Sequence, residues 1–266
     1  MKTKSIKKWA IAAAILIAAA LVVYITPNKN ADTGSSAEKP VSAEYSTDIL
    51  TPGLSGTVKE NAAGESVFAI PLAELIDQYN SVYQQRHGND YLNLENSDNW
   101  YRFSELSPRF GTEATRYQFT ADKTVWPMPT ISFYTPEDKS EIFEICMTFD
   151  DHGYQERFHE LFKELCICME KTVISEMTER EAEELFEKLY SEACDNFFGN
   201  HAAYGDPERP PLTVIHCCDK IGLYCFYGAG NIEICFLPLT ENAVNILKVE
   251  NTAFDDFKET VKNETE

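Results

Sequence analysis

The sequence predicts an α+β fold with an N-terminal transmembrane helix, a flexible stalk, and antiparallel sheet carrying helices on one face. Three observations predict it. Residues 9–25 read WAIAAAILIAAALVVYI, seventeen apolar residues without a charge, behind Lys2, Lys4, Lys7 and Lys8. Three later segments repeat apolar residues at helical spacing. Around them lie six short runs of strand character.

A seventeen-residue helix is about 25 Å long, slightly under the hydrocarbon thickness of about 30 Å. Trp9 and Tyr24 bracket the run at headgroup level, and the lysines can snorkel. Eight of the seventeen are Ile, Leu or Val. At roughly −0.3 to −0.6 kcal/mol each they sum to about −2 to −5 kcal/mol, with no charge opposing insertion. The lysines then make 1–8 a cytoplasmic basic segment and 9–26 a signal anchor, with residue 27 onward outside the cell. The predicted location is the cell membrane, single-pass. The alternative is a cleaved signal and a secreted product. Against it, the run exceeds the usual signal core, and Tyr24-Ile25-Thr26-Pro27 offers no A-x-A-like site.

Residues 27–64 read as a flexible linker, rich in Asn, Ser, Gly, Ala, Pro, Lys and Glu, with at most a short strand near 54–58. The globular domain is expected over 65–250, followed by a short helix and acidic tail over 251–266. Pro71 can open a helix whose stripe is Leu72, Leu75, Ile76, Tyr79, Val82 and Tyr83, stopped at Gly88. A second helix runs from Tyr154 to about Lys171. Thr178-x-x-Glu181 is a capping box opening a third. Strands are expected at 116–120, 130–134 and 141–149, then at 212–218, 222–227 and 232–237. In the third of these Phe143, Ile145, Met147 and Phe149 alternate inward. Ala229-Gly230 is a two-residue hairpin turn between the last two.

The order is helix, three strands, helix, taken twice. Phe143-Glu144-Ile145-Cys146 and Ile232-Glu233-Ile234-Cys235 occupy equivalent places, which suggests a tandem α-βββ-α repeat. In layout the chain resembles tandem α+β modules such as the TATA-binding-protein and β-lactamase-inhibitory-protein folds. It also looks like single-pass exported proteins of Gram-positive bacteria. These likenesses rest on element order, and no functional residue follows from them.

Beyond residue 26 stand 19 basic and 43 acidic residues, a net charge of −24. Nucleic acid is excluded as a partner, because phosphate binding needs a basic surface. Eight cysteines fall in the second half. Cys166 and Cys168 diverge by about 200° on a helix, and Cys217 and Cys218 point to opposite faces of a strand. The Ala229-Gly230 turn puts Cys225 and Cys235 on opposite faces. Cys146 and Cys235 share a face with glutamate and are bridgeable only if their strands are neighbours.

Asp150, Asp151 and His152 end a strand before a helix and are the least unpromising catalytic group; N-capping of that helix explains them more simply. His159, in that helix, is expected to point largely to solvent. His216-Cys217-Cys218-Asp219 lacks zinc-type cysteine spacing and reads as strand alternation. No metal or cofactor motif is present. Trp100, Tyr101, Phe103 and Trp126 lie in the long stretch 88–130, where aromatic residues can shape a binding surface. The expected function is a membrane-anchored, extracytoplasmic, non-catalytic binding module for a protein or peptide, touching the membrane through 9–26. The alternatives are an exported enzyme or an accessory subunit of a cell-envelope complex. Full-length protein is therefore expected to stay in the membrane fraction after an alkaline wash, with residues 1–26 retained in its intact mass. Release of full-length chain into the wash would remove the anchor.

Overall fold

The computed structural model describes residues 49–106, 112–150, 156–199, 213–228, 230–241 and 243. The expected anchor over 9–26, Asp151, His152 and the expected last helix lie outside these residues. No helix among the described residues is long and apolar enough to cross a membrane. The described fold is α+β, with three helices and antiparallel sheets.

Each helix forms where its apolar stripe demands. In α1 (Leu72–His87) the stripe is buried, from Leu72 to Tyr83. Pro71 is its N-cap rather than its first helical residue, and Gly88 ends it in the left-handed conformation at φ 76°. Its one buried polar residue, Asn80, fastens the following loop: Nδ2 donates to Leu92 O at 2.7 Å, and Oδ1 accepts from Leu92 N at 3.0 Å. In α2 (Glu156–Val173) every residue from Leu165 to Val173 is buried. The capping box opens α3 (Glu179–Gly199): Thr178 N donates to Glu181 Oε2 at 2.9 Å, and Glu181 N reaches Thr178 Oγ1 at 3.4 Å.

The strands are β1 (Val58–Glu60), β2 (Ser66–Phe68), β3 (Trp100–Leu106), β4 (Glu113–Thr120), β5 (Thr130–Thr135), β6 (Glu144–Asp150), β7 (Thr213–Cys218), β8 (Ile221–Gly228) and β9 (Asn231–Pro238). β1 and β2 form a hairpin. The other seven make one antiparallel sheet in the order β3-β4-β5-β6-β9-β8-β7. Two meanders thus join at β6 and β9, where Cys146 lies opposite Cys235 and Met147 opposite Ile234. The β8–β9 register is the one the turn predicts, with Cys225 opposite Ile234 and Tyr224 opposite Cys235.

Strand alternation sorts the sheet into two faces. Phe119, Phe133, Ile145, Met147, Phe149, Leu223, Cys225, Ile234 and Phe236 share one core with Leu75, Tyr79, Phe162, Leu165 and Phe186 of the helices. Ala114, Tyr134, Cys146, Cys235 and Leu237 belong to a second cluster on the opposite face, with Val67 from β2. Phe143, expected to follow the inward alternation, precedes β6 and falls in this second cluster. With helices expected on one face only, nothing was assigned to cover the second. The hairpin covers part of it, tied by Phe68 N to Ile142 O at 2.9 Å and the return bond at 3.0 Å.

Residues 49–64, read from composition as linker, belong to the packed domain from at least Thr51. Thr51 Oγ1 donates to Lys171 O at 2.6 Å, and Leu54 N donates to Val173 O at 2.7 Å. These bonds satisfy carbonyls that the end of α2 leaves without helical partners. Leu54 itself is fully buried. Gly53 makes the approach possible: its φ is +64°, and a Cβ there would stand 2.4 Å from Ser175 N. Gly53→Ala is therefore expected to cost about 2 kcal/mol or more, from strain and overpacking together. Urea unfolding at fixed pH measures it, and an unchanged midpoint would contradict the strap.

Glu170 of α2 is fully buried, and neither carboxyl oxygen has a hydrogen-bond partner among the described residues. Burial holds its pKa well above the ordinary carboxylate range. The folded state thus keeps a proton that the unfolded chain releases above about pH 4.3. Stability drains away as pH rises past that point, by up to about 1.4 kcal/mol per pH unit, until the folded pKa is reached. Glu170→Gln is expected to gain stability relative to the native chain as pH is raised through the range above about 4.3. A flat difference across that range would show the carboxyl to be ionised in the fold.

Candidate functional site

Two places collect chemistry-bearing side chains: an edge of the sheet, and the β6–β9 junction. At the edge, β3 pairs residue for residue with β4, from Trp100 opposite Phe119 to Leu106 opposite Glu113. Among the described residues nothing pairs with its other side. No strand was expected before 116, yet Trp100–Leu106 is one, aromatic enough to sit against a neighbour.

Alternation along β3 separates the predicted aromatic residues. Trp100 turns to the helix side, with ring centroids 5.1 Å from Phe119 and 6.2 Å from Phe133. Its Nε1 donates to Asn93 O at 2.7 Å, so Trp100 anchors structure. Tyr101 and Phe103 share the other face and stack with centroids 6.1 Å apart, 40% and 37% exposed. Lys123 Nζ lies 4.1 Å from the centre of the Tyr101 ring, and the Arg116 guanidinium lies 4.6 Å from that of Phe103. These cations hold the rings by cation–π attraction. Trp126 projects from the β4–β5 loop, 63% exposed.

The two charges on β3 are matched locally. Arg102 Nη2 donates to Glu137 Oε1 at 3.0 Å. Glu105 Oε1 lies 2.8 Å from Arg116 Nε as an ion pair without hydrogen-bond alignment. Beside the strand's end is a cavity of ≈ 560 Å³ lined by residues including Arg102, Ser104, Leu106, Thr115 and Glu137. The edge is thus seven residues long, with two stacked rings on one face and each of its own two charges paired.

At the junction, β6 supplies Glu144 and Cys146, and β9 supplies Cys235. One ligating atom from each lies within 4.8 Å of the other two, and all three residues are buried. Cys235 Sγ also donates to Glu233 Oε1 at 3.4 Å. Burial, together with Cys146, Glu144 and Glu233, pushes the Cys235 thiol well above its ordinary pKa. The condition set by the sequence for pairing Cys146 with Cys235 is met, since their strands are neighbours. Zinc was weighed from the sequence only at His216-Cys217-Cys218-Asp219, and no ligand was assigned at this junction. The signal the sequence contained was the repeated Glu-Ile-Cys, since residues two apart share a strand face.

Of the weak catalytic group, Asp150 ends β6 half-buried, opposite Asn231. Asp151 and His152 fall outside the described residues. His159, expected in solvent, is half-buried between α2 and α3, edge-on to Tyr190 at 5.1 Å. His216 Nε2 meets Glu192 Oε2 at 2.7 Å across β7 and α3. Cys218 packs on the helix-side core and Cys217 on the opposite cluster, as alternation requires. No protein family, curated protein or solved structure matches the chain. The likeness in element order to tandem α+β modules therefore carries no argument.

Proposed function

We propose that the chain is a single-pass, membrane-anchored extracytoplasmic module that binds an extended peptide segment of a partner protein without catalysis. The observation that supports this reading is β3, a seven-residue edge strand displaying stacked Tyr101 and Phe103. An edge strand offers a row of unpaired N–H and C=O groups to an added strand. Alternate apolar side chains of that strand would lie against the Tyr101–Phe103 pair, and aromatic residues of this kind dominate binding energy where they occur. Natural edges are commonly blunted by charge. Here Arg102 is paired with Glu137, and Glu105 with Arg116.

The finer architectural reading belongs to the same proposal. The repeated Glu-Ile-Cys segments fall on β6 and β9, with Cys146 opposite Cys235. A local two-fold through that pair carries one segment onto the other, which supports a tandem duplication. The apolar run 9–25 supports the anchor, and with it the extracytoplasmic address.

The test is selection of a displayed library of nine-residue peptides on full-length protein in detergent. Peptides with alternating apolar residues should be enriched, and Tyr101→Ala/Phe103→Ala should weaken them at least tenfold with the fold intact by circular dichroism. Failure to enrich any peptide, or binding indifferent to the double substitution, would overturn the reading.

A further inference from the structure

In a strand, residues i and i+2 project from the same face, so Glu-x-Cys places a carboxylate and a thiol side by side. This chain carries the arrangement twice, as Glu144 and Cys146 on β6 and as Glu233 and Cys235 on β9. Antiparallel pairing opposes the two cysteines. The Glu144, Cys146 and Cys235 ligating atoms lie within 4.8 Å of one another in a buried setting. A tetrahedral zinc ion with Zn–S near 2.3 Å holds its sulfurs about 3.8 Å apart. The spacing therefore suits one ion without moving either strand.

We propose that Glu144, Cys146 and Cys235 form a zinc(II) site joining the two meanders, with Glu233 as fourth ligand. Glu233 is the strand equivalent of Glu144, and its Oε1 already lies 3.4 Å from Cys235 Sγ. The donor set selects the metal class. Thiolates disfavour magnesium and calcium, carboxylates disfavour copper(I), and zinc accepts both. Binding releases the two thiol protons, and the ion offsets negative charge that burial would otherwise disfavour. The inference is independent of the peptide reading, because the site lies on β6 and β9 while β3 sits at the end of the sheet.

The same sulfurs have a competing fate. Directly opposed antiparallel residues have Cα atoms about 4.5 to 5.5 Å apart, within the range a disulfide spans. The experiment separates the two. Full-length protein, purified in detergent with a thiol reductant and stripped by a chelator that is then removed, is titrated with zinc(II) and, separately, with cobalt(II). One tightly held zinc per chain is expected. The cobalt form should show thiolate-to-metal charge transfer and intense tetrahedral ligand-field bands. Cys146→Ser and Cys235→Ser should each abolish both signals, while Cys194→Ser leaves them unchanged. Glu233→Gln, at a half-buried position and the variant least disruptive to folding, should lower zinc affinity at least tenfold. Lack of stoichiometric zinc would overturn the site, as would a cobalt spectrum unaffected by Cys146→Ser or zinc affinity unaffected by Glu233→Gln. A mapped Cys146–Cys235 disulfide in the unreduced protein, with no zinc uptake after reduction, would overturn it in favour of the covalent link.

Discussion

The pairing of β6 with β9 is the constraint on which the rest of the domain depends. It joins strands some 85 positions apart in the chain, and it turns two meanders into one seven-stranded sheet. Closing so long a connection is entropically costly, and the gain comes from buried surface on both sides. On the helix side, Ile145, Met147, Ile234 and Phe236 bring one core together with α2 and α3. On the other side, Cys146, Cys235 and Leu237 centre the second cluster. A one-residue slip between β6 and β9 would exchange these sets across the sheet. That would put Glu144 against the helices and carry Ile145 away from them. Register is therefore strongly specified here, and the same register sets the two cysteines opposite each other.

This junction also decides what is left at the margins. With β6 and β9 at the centre, β3 and β7 become the edges. The helices connecting β6 to β7 return the chain across the sheet, and the β1–β2 hairpin covers part of the reverse face through Val67. The strap at Thr51–Leu54 ties the start of the packed domain to the end of α2. The acidic surplus of the chain says little about the aromatic edge. There, each charge on β3 has a local counterpart, and the stacked rings of Tyr101 and Phe103 are the distinguishing property.

Elements with a strong periodic signal were legible in the sequence. The α1 stripe, the Thr178–Glu181 capping box and the β8–β9 register all follow from local chemistry, and the structure has each of them. What local chemistry does not encode is which strands become neighbours, so the joining of β6 to β9 into one sheet was not legible. β3 was hidden for a different reason. Exposed on both faces, it alternates apolar and polar only over Tyr101–Ser104, and Trp100 beside Tyr101 blurs the period further. The β1–β2 hairpin consists of three-residue strands, the first in a segment of linker composition, too short for periodicity to register. Within the predicted aromatic group, residue type did not reveal the division of labour. Trp100 holds the core, while Tyr101 and Phe103 face outward. The junction cluster was half legible: the shared glutamate-bearing face of Cys146 and Cys235 could be read, but their adjacency is tertiary.

Native-state hydrogen exchange resolved along the chain tests the β6–β9 junction most directly. If these strands form the centre of one cooperative sheet, amides within 144–150 and 231–238 exchange last and together, at the free energy of global unfolding. If instead β7, β8 and β9 open as a separate unit at lower free energy while 144–150 behaves as an edge, the two meanders are not joined at this seam and the account fails.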